Sequence, residues 1–321
     1  MKQRTFTSKL TPYIEALVKE KHSCGYSFTM QEYYLKRFDQ FIQQKGLDTN
    51  VLDKTMVMAW AEKLPTESFN TRNERLCCLR GLSFYMISLG LEAYVPPSFS
   101  SVSRKVPYLP SKIEMQRFFL MVDTWVPLTE EAKRWSTAYP FMFRLYYLCG
   151  LRLNEACTLR CADVDLQEGK LLIRHSKGDK DRIVYVAEDL RILLTRYENR
   201  ANALIPDREW FFPGRHCQKP FSKNAIDKKF REFWIMGKCA SHAEKPTVHA
   251  LRHCFVVNRI NEWVCQRENL DNLMPYLSRY LGHSSIEGTF YYYHQFDTFT
   301  DALRMYVETC NSVSKEVYDG Q

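Results

Sequence analysis

The 321-residue sequence contains no long apolar run, no Cys-x-x-Cys pair, no glycine-rich phosphate loop, no cluster of acidic residues, no internal repeat and no low-complexity tract. Each absence excludes something. A membrane-spanning helix needs about 20 consecutive apolar residues, and the best candidate, 139–151, is broken by Arg144. Mean hydropathy is −0.39. Met1-Lys2-Gln3-Arg4-Thr5 leads into no apolar stretch of the signal-peptide kind, so no membrane association is expected. The 11 cysteines are an odd number without metal-ligand spacing. They are expected to be small buried thiols in a reducing cytoplasm. Without an acidic cluster or a phosphate loop, neither Mg²⁺ nor a nucleotide is called for, and no metal and no cofactor are expected.

What is present is the composition of a globular protein, 45% hydrophobic and 26% charged. The net charge of +8 permits a polyanionic partner without requiring one. Its layout says more than its sum. Residues 1–106 hold 15 Lys and Arg against 10 Asp and Glu, and residues 208–246 hold nine basic against four acidic.

The first 95 residues read as a helical unit. Tyr13, Ile14, Leu17 and Val18 recur at helical spacing, as do Tyr33, Leu35, Phe38, Phe41 and Ile42. Segments 56–61 and 76–89 complete a four-helix pattern, closed by Gly90 as a left-handed cap. Residues 96–107, rich in Pro and Ser, read as a linker. The part from 108 to 321 is mixed. Ser111 and Glu114 form a capping box. A helix is expected over 137–148, and another starts near Asn154. Segments 170–174 and 182–186 read as the strands of a β-hairpin whose tip carries Lys177 and Gly178-Asp179. Helices are expected at 188–203, 222–236, 248–262 and 272–281, and a last one over 298–318. The expected fold is therefore mainly α with a small β-sheet, a helical bundle followed by an α+β domain.

Single polar residues in this pattern carry little weight alone. Their order carries more. Gly150-Leu151-Arg152-x-x-Glu155 comes first, then Lys177 on the hairpin, then His249-x-x-Arg252-His253. Leu281-Gly282-His283 follows, with Tyr292 nine residues after His283. This succession, over residues 108–294, resembles the catalytic signature of the tyrosine recombinases (the phage integrase and Xer-like site-specific recombinases), including transposon-encoded members.

The resemblance implies a core-binding helical bundle and a catalytic domain that close on DNA as a C-shaped clamp. It implies that Arg152 and Arg252 grip the scissile phosphate and that Lys177, His249 and His283 complete the site. Tyr292 is the implied nucleophile, with Tyr291 and Tyr293 beside it. Glu155 and His253 take supporting roles. The implied partner is double-stranded DNA carrying a specific recombination site, bound by a homotetramer, with sister recombinases or accessory DNA-bending proteins as further partners. The implied reaction proceeds through a 3′-phosphotyrosyl link and a Holliday junction, for integration or excision of a mobile element. A type IB topoisomerase-like enzyme and a non-catalytic DNA-binding relative remain as alternatives. Segment 261–275 is longer than the usual connection between the two histidine boxes.

The chemistry itself asks for these residue types. A phosphodiester broken without metal or nucleotide requires a nucleophile, an acid for the leaving group and neutralisation of the non-bridging oxygens. Arginines are permanently charged and forked. A histidine titrates near neutrality, and a lysine on a hairpin can protonate a departing oxygen. For general DNA contact, the basic helix carrying Lys223, Lys228, Lys229 and Arg231 and the linker pair Arg104 and Lys105 are the candidates.

Overall fold

The computed structural model describes residues 5–47, 49–99, 108–174, 181–239 and 246–283. It divides into two compact units, Met1–Lys105 and Val106–Gln321.

The first unit is built from α1 (Thr11–Ser23), α2 (Thr29–Gln44), α3 (Lys54–Ala61) and α4 (Phe69–Ser88). Its core takes Leu10, Ile14 and Leu17, then Leu35, Phe38 and Ile42, then Met56, Val57 and Trp60, and finally Leu76, Leu79, Leu82 and Met86. These are the three- and four-residue spacings of one helix face. α4 begins seven residues before the expected 76, because the Ser68 hydroxyl accepts the Thr71 N–H at 3.0 Å and starts a turn that has no apolar face of its own. Inside the bundle, Arg75 is 1% exposed. Its Nε donates to Glu67 at 2.6 Å and its Nη2 to the Glu62 carbonyl at 2.7 Å, so the buried charge is paired. Residues 96–99, read as the start of the linker, are laid along α4. Arg80 donates to the carbonyls of Pro96 and Pro97, both at 3.1 Å. The Arg72 guanidinium lies 3.5 Å from the centroid of the Phe99 ring.

The second unit centres on α7 (Tyr139–Cys149). This helix packs against α5 (Lys112–Thr124), α9 (Glu188–Leu204) and α11 (His249–Cys265). Its aromatic interior joins Phe118, Phe143, Phe230 and Phe233, with ring centroids 5.0 Å apart for Phe118 and Phe230 and 5.3 Å for Phe118 and Phe143. The capping box at α5 forms as expected, Ser111 and Glu114 bonding reciprocally. A short helix absent from the sequence reading, α6 (Glu130–Ser136), starts where Thr129 caps Ala132. The helix expected near Asn154 is the five-residue α8 (Leu153–Cys157).

The sheet has three antiparallel strands in the order β1 (Val164–Asp165), β2 (Lys170–Ile173), β3 (Arg182–Tyr185). Ile173 pairs with Arg182, and Lys170 with Tyr185. Leu171, Ile173 and Val184 turn into the core, the period of two that marks a half-buried sheet. β1, only two residues long, has too little pattern to be read from the sequence. Beyond α10 (Lys223–Met236), segment 261–275 resolves into the end of α11, a short link and the start of α12 (Leu270–Leu281), where Asn269 caps Asn272. The expected helix over 298–318 lies outside the described residues. No helix among the described residues is long and apolar enough to cross a membrane.

Candidate active site

Three chain corners meet here, and each is a consequence of local sequence. The first is the end of α7. Gly150 takes the left-handed conformation (φ 62°, ψ 29°) and terminates the helix. Leu151 is buried, and Arg152 becomes the N-cap residue of α8. An arginine side chain has no acceptor for capping, so the partner works in reverse: the Glu155 carboxylate accepts the Arg152 backbone N–H at 2.7 Å. The second corner is the first turn of α11, which carries His249, Arg252 and His253. The third is the end of α12. Gly282 (φ 67°) lets the Gly282 N–H bond back to Arg279 O and the His283 N–H to Ser278 O, both at 3.0 Å. This is the doubly bonded helix ending that a left-handed residue permits.

That ending leaves the last carbonyls of α12 in need of donors. Three arginines from three elements supply them. Arg182 Nε donates to Tyr280 O at 2.8 Å, Arg252 Nη2 to Leu281 O at 2.9 Å, and Arg152 Nη2 to Gly282 O at 2.6 Å. Arg252, 1% exposed, also donates to Gly150 O at 2.5 Å, tying the end of α7 to the end of α12. Its Nη2 lies 3.1 Å from His283 Nε2. A guanidinium only donates, so Nε2 accepts and the imidazole proton belongs on Nδ1.

The electrostatics follow from this crowding of cations. Burial and the neighbouring charges of Arg252 and Arg152 bring His249 down to about 4. The residue nevertheless keeps an open face to solvent, as a site for a large ligand requires. Burial, then His249 and Arg252, bring His253 to about 3. The two imidazole rings stand edge to face with centroids 4.5 Å apart. Both are neutral at physiological pH. Burial alone would push the Glu155 carboxyl up, but hydrogen bonds and charge from Arg182 and Arg152 outweigh it and hold it at about 2. Glu155 is therefore a fixed anion among arginines.

The structure thus brings together Arg152, Glu155, His249, Arg252, His253 and His283. Lys177, Tyr292, Arg104 and Lys105 lie outside the described residues. On α10, Lys223, Lys228 and Arg231 are exposed. Lys229 differs from them. Its Nζ sits 3.8 Å from the Trp125 ring centroid and 2.7 Å from Glu232 Oε2, so it is spent on packing. Arg182 is the residue that sequence reasoning missed. It stands 27 residues from Glu155 and 98 from Tyr280, and at a strand start its charge looks like any other. Among the described residues, no three His, Cys, Asp or Glu side chains converge as metal ligands.

Gly150 offers a direct test of this construction. A Cβ there would lie 2.5 Å from Phe255 Cδ1, on a backbone with φ 62°. Gly150→Ala is expected to lose about 2–4 kcal/mol of stability, from the left-handed strain plus overpacking. Urea denaturation measures it, and a loss below about 0.5 kcal/mol, within the range of an ordinary surface substitution, would refute the account.

The chain is similar to known proteins. The family model described as "Phage integrase family" matches residues 119–298. A Sinorhizobium fredii protein named as an integrase/recombinase, y4rE, is 28% identical over 294 residues, 89% of this chain and 92% of its own length. The tyrosine recombinase XerA of Thermococcus kodakarensis is 26% identical over 287 residues, 86% of each chain. Among solved structures, the Tn1549 transposon integrase in complex with circular intermediate DNA superposes with a TM-score of 0.65 at 16% identity, covering 93% of this chain and 99% of that one. The XerH site-specific recombinase bound to palindromic difH substrate, a post-cleavage complex, gives 0.64 at 19% identity, covering 95% and 85%. With the family match spanning more than half of its length, the chain belongs to the phage integrase family and is a tyrosine recombinase, a DNA strand-exchange enzyme.

Proposed function

We propose that this enzyme cuts and rejoins DNA at a specific site through a covalent 3′-phosphotyrosyl intermediate on Tyr292, and that it serves the integration or excision of a mobile element. The observation that carries this reading is the convergence of Arg152 and Arg252 on adjacent carbonyls, Gly282 and Leu281, with His249 and His283 beside them. Two forked cations held in one place suit a single phosphate with two non-bridging oxygens. The N-terminus of the 17-residue α11, where His249 stands, adds its positive pole to the same spot.

The reaction then assigns itself by charge. A tyrosine with its ordinary pKa near 10 is ionised in only about one molecule in a thousand at neutral pH, so its proton leaves as the oxygen attacks. His249, neutral because of its setting, is the acceptor available to that proton. The phenolic oxygen bonds to phosphorus, the bond to the 5′ oxygen breaks, and Lys177 donates the proton that the departing oxygen takes. Glu155 and His253 support the arginines and His249. The phosphotyrosyl link keeps the bond energy, and the 5′ hydroxyl of a second strand reverses the step without ATP. Two such exchanges, through a Holliday junction held by four protomers, recombine two sites. Lys223, Lys228 and Arg231 on α10, with Arg104 and Lys105, contact the phosphate backbone and contribute salt-dependent affinity.

The test is a nicked suicide duplex carrying candidate element ends. The wild-type protein is expected to form an SDS-resistant, protease-sensitive adduct on the 3′ phosphate. Binding without adduct on every end would overturn the reading. Relaxation of supercoiled DNA by a monomer, without sequence preference, would move it to the topoisomerase class.

A further inference from the structure

We propose that Arg182 is a positioning residue for strand cleavage: it shares the Glu155 carboxylate with Arg152 and so keeps the Arg152 guanidinium available to the scissile phosphate. The inference rests on the phosphate-gripping role given to Arg152 above.

The geometry is that of one anion between two cations. Arg182 Nη1 and Nη2 meet Glu155 Oε1 at 2.8 Å and Oε2 at 2.7 Å, a forked pair using both oxygens. Arg152 reaches the same Oε1 through Nη1 at 2.9 Å, and the same Oε2 through its backbone N–H at 2.7 Å. The Glu155 side chain is 5% exposed and that of Arg182 10%, so water screens little of this. Two guanidiniums and one carboxylate leave a net positive charge. Remove Arg182, and Arg152 stays in contact with the buried carboxylate through both its guanidinium and its backbone N–H. The attraction then draws Arg152 into a closed, neutral pair, turned inward and away from a ligand. The third bond of Arg182, to Tyr280 O at 2.8 Å, places it beside the carbonyls that anchor Arg252 and Arg152. β3, α8 and the end of α12 are thereby locked around one carboxylate.

A strut would also sit between three elements, so the test must separate charge balance from support. Single-turnover adduct formation on the nicked duplex is measured at saturating protein, with DNA affinity by gel shift and folding by thermal melting. Arg182→Met is expected to slow adduct formation by about 10- to 100-fold, the range seen when a group that orients a primary ligand is lost. The half-saturating protein concentration is expected to stay within about threefold, well short of the loss at the chemical step. Arg182→Lys, which keeps the charge but cannot fork, should fall between. The deciding variant is Arg182→Met with Glu155→Gln. Removing the unbalanced anion should restore the rate at least about fivefold over Arg182→Met, which a lost strut would not do. A double variant no faster than Arg182→Met, or an Arg182→Met protein within threefold of wild type, overturns the proposal. Should Arg182→Met fail to fold, Arg182→Gln, neutral but still a donor toward Tyr280, is read in the same way. Absence of adduct from the wild-type protein would instead sink the underlying function, and that arm is run first.

Discussion

Tyr292→Phe is expected to abolish the SDS-resistant adduct while leaving DNA affinity within about threefold of wild type. The substitution removes one oxygen and preserves the ring, so packing and charge change little. What disappears is the atom proposed to bond to phosphorus. Losses of about 10⁴ or more are ordinary when a nucleophile is removed from a working set. Tyr291→Phe and Tyr293→Phe are the necessary companions, because the sequence offers three adjacent phenols. Both should form adduct at rates within about tenfold of wild type, far from the loss expected of a nucleophile. Adduct persisting in Tyr292→Phe, with loss in either neighbour, would reassign the nucleophile and shift the register of the strand-transfer step by one residue. Mass spectrometry of the adduct peptide, after digestion of the DNA, identifies the modified tyrosine independently of rates.

The parts of this molecule that could be read from sequence are those whose cause is local. Leu35, Phe38 and Ile42 announce a helix face whatever packs on it, and they are core residues of α2. Gly150 and Gly282 stand where backbones turn left-handed, so the corners that present Arg152 and His283 are set by neighbours in the chain. What was not legible is non-local or too short to have a period. α6 and β1 fall in the second class. Arg182 falls in the first: its partners come from α8 and the end of α12, and nothing at position 182 foretells them. Lys229 errs in the opposite direction. Its spacing puts it with the exposed cations of α10, yet Trp125, from α5's far end, draws its ammonium inward. A similar pull explains residues 96–99. Their Pro and Ser content signals a linker, while Arg72 and Arg80 of α4 hold them by ring face and carbonyls.

Arg252→Lys and Arg152→Lys are expected to lose activity alike and stability unlike. Each replaces a forked, permanently charged donor set with a point charge that makes fewer directed bonds. If both arginines neutralise the phosphate as it becomes five-coordinate, each substitution removes a donor aimed at developing charge. The cost is about 3–4 kcal/mol, or roughly 100- to 1000-fold in single-turnover adduct formation. Stability distinguishes them because burial does. Arg252 is 1% exposed and holds Gly150 O, Leu281 O and His283 Nε2. A lysine cannot serve all three, and an orphaned buried acceptor costs about 1–3 kcal/mol. The Arg152 side chain is 20% exposed. It donates to Gly282 O and to Glu155, and Glu155 keeps Arg182, so its loss should cost under about 1 kcal/mol. Urea denaturation of both variants, beside cleavage rates taken well below either melting midpoint, checks the pair. Equal stability losses would mean that Arg252 is not the bond between the ends of α7 and α12. Cleavage by either variant within tenfold of wild type would mean that the phosphate is held by something other than these two guanidiniums.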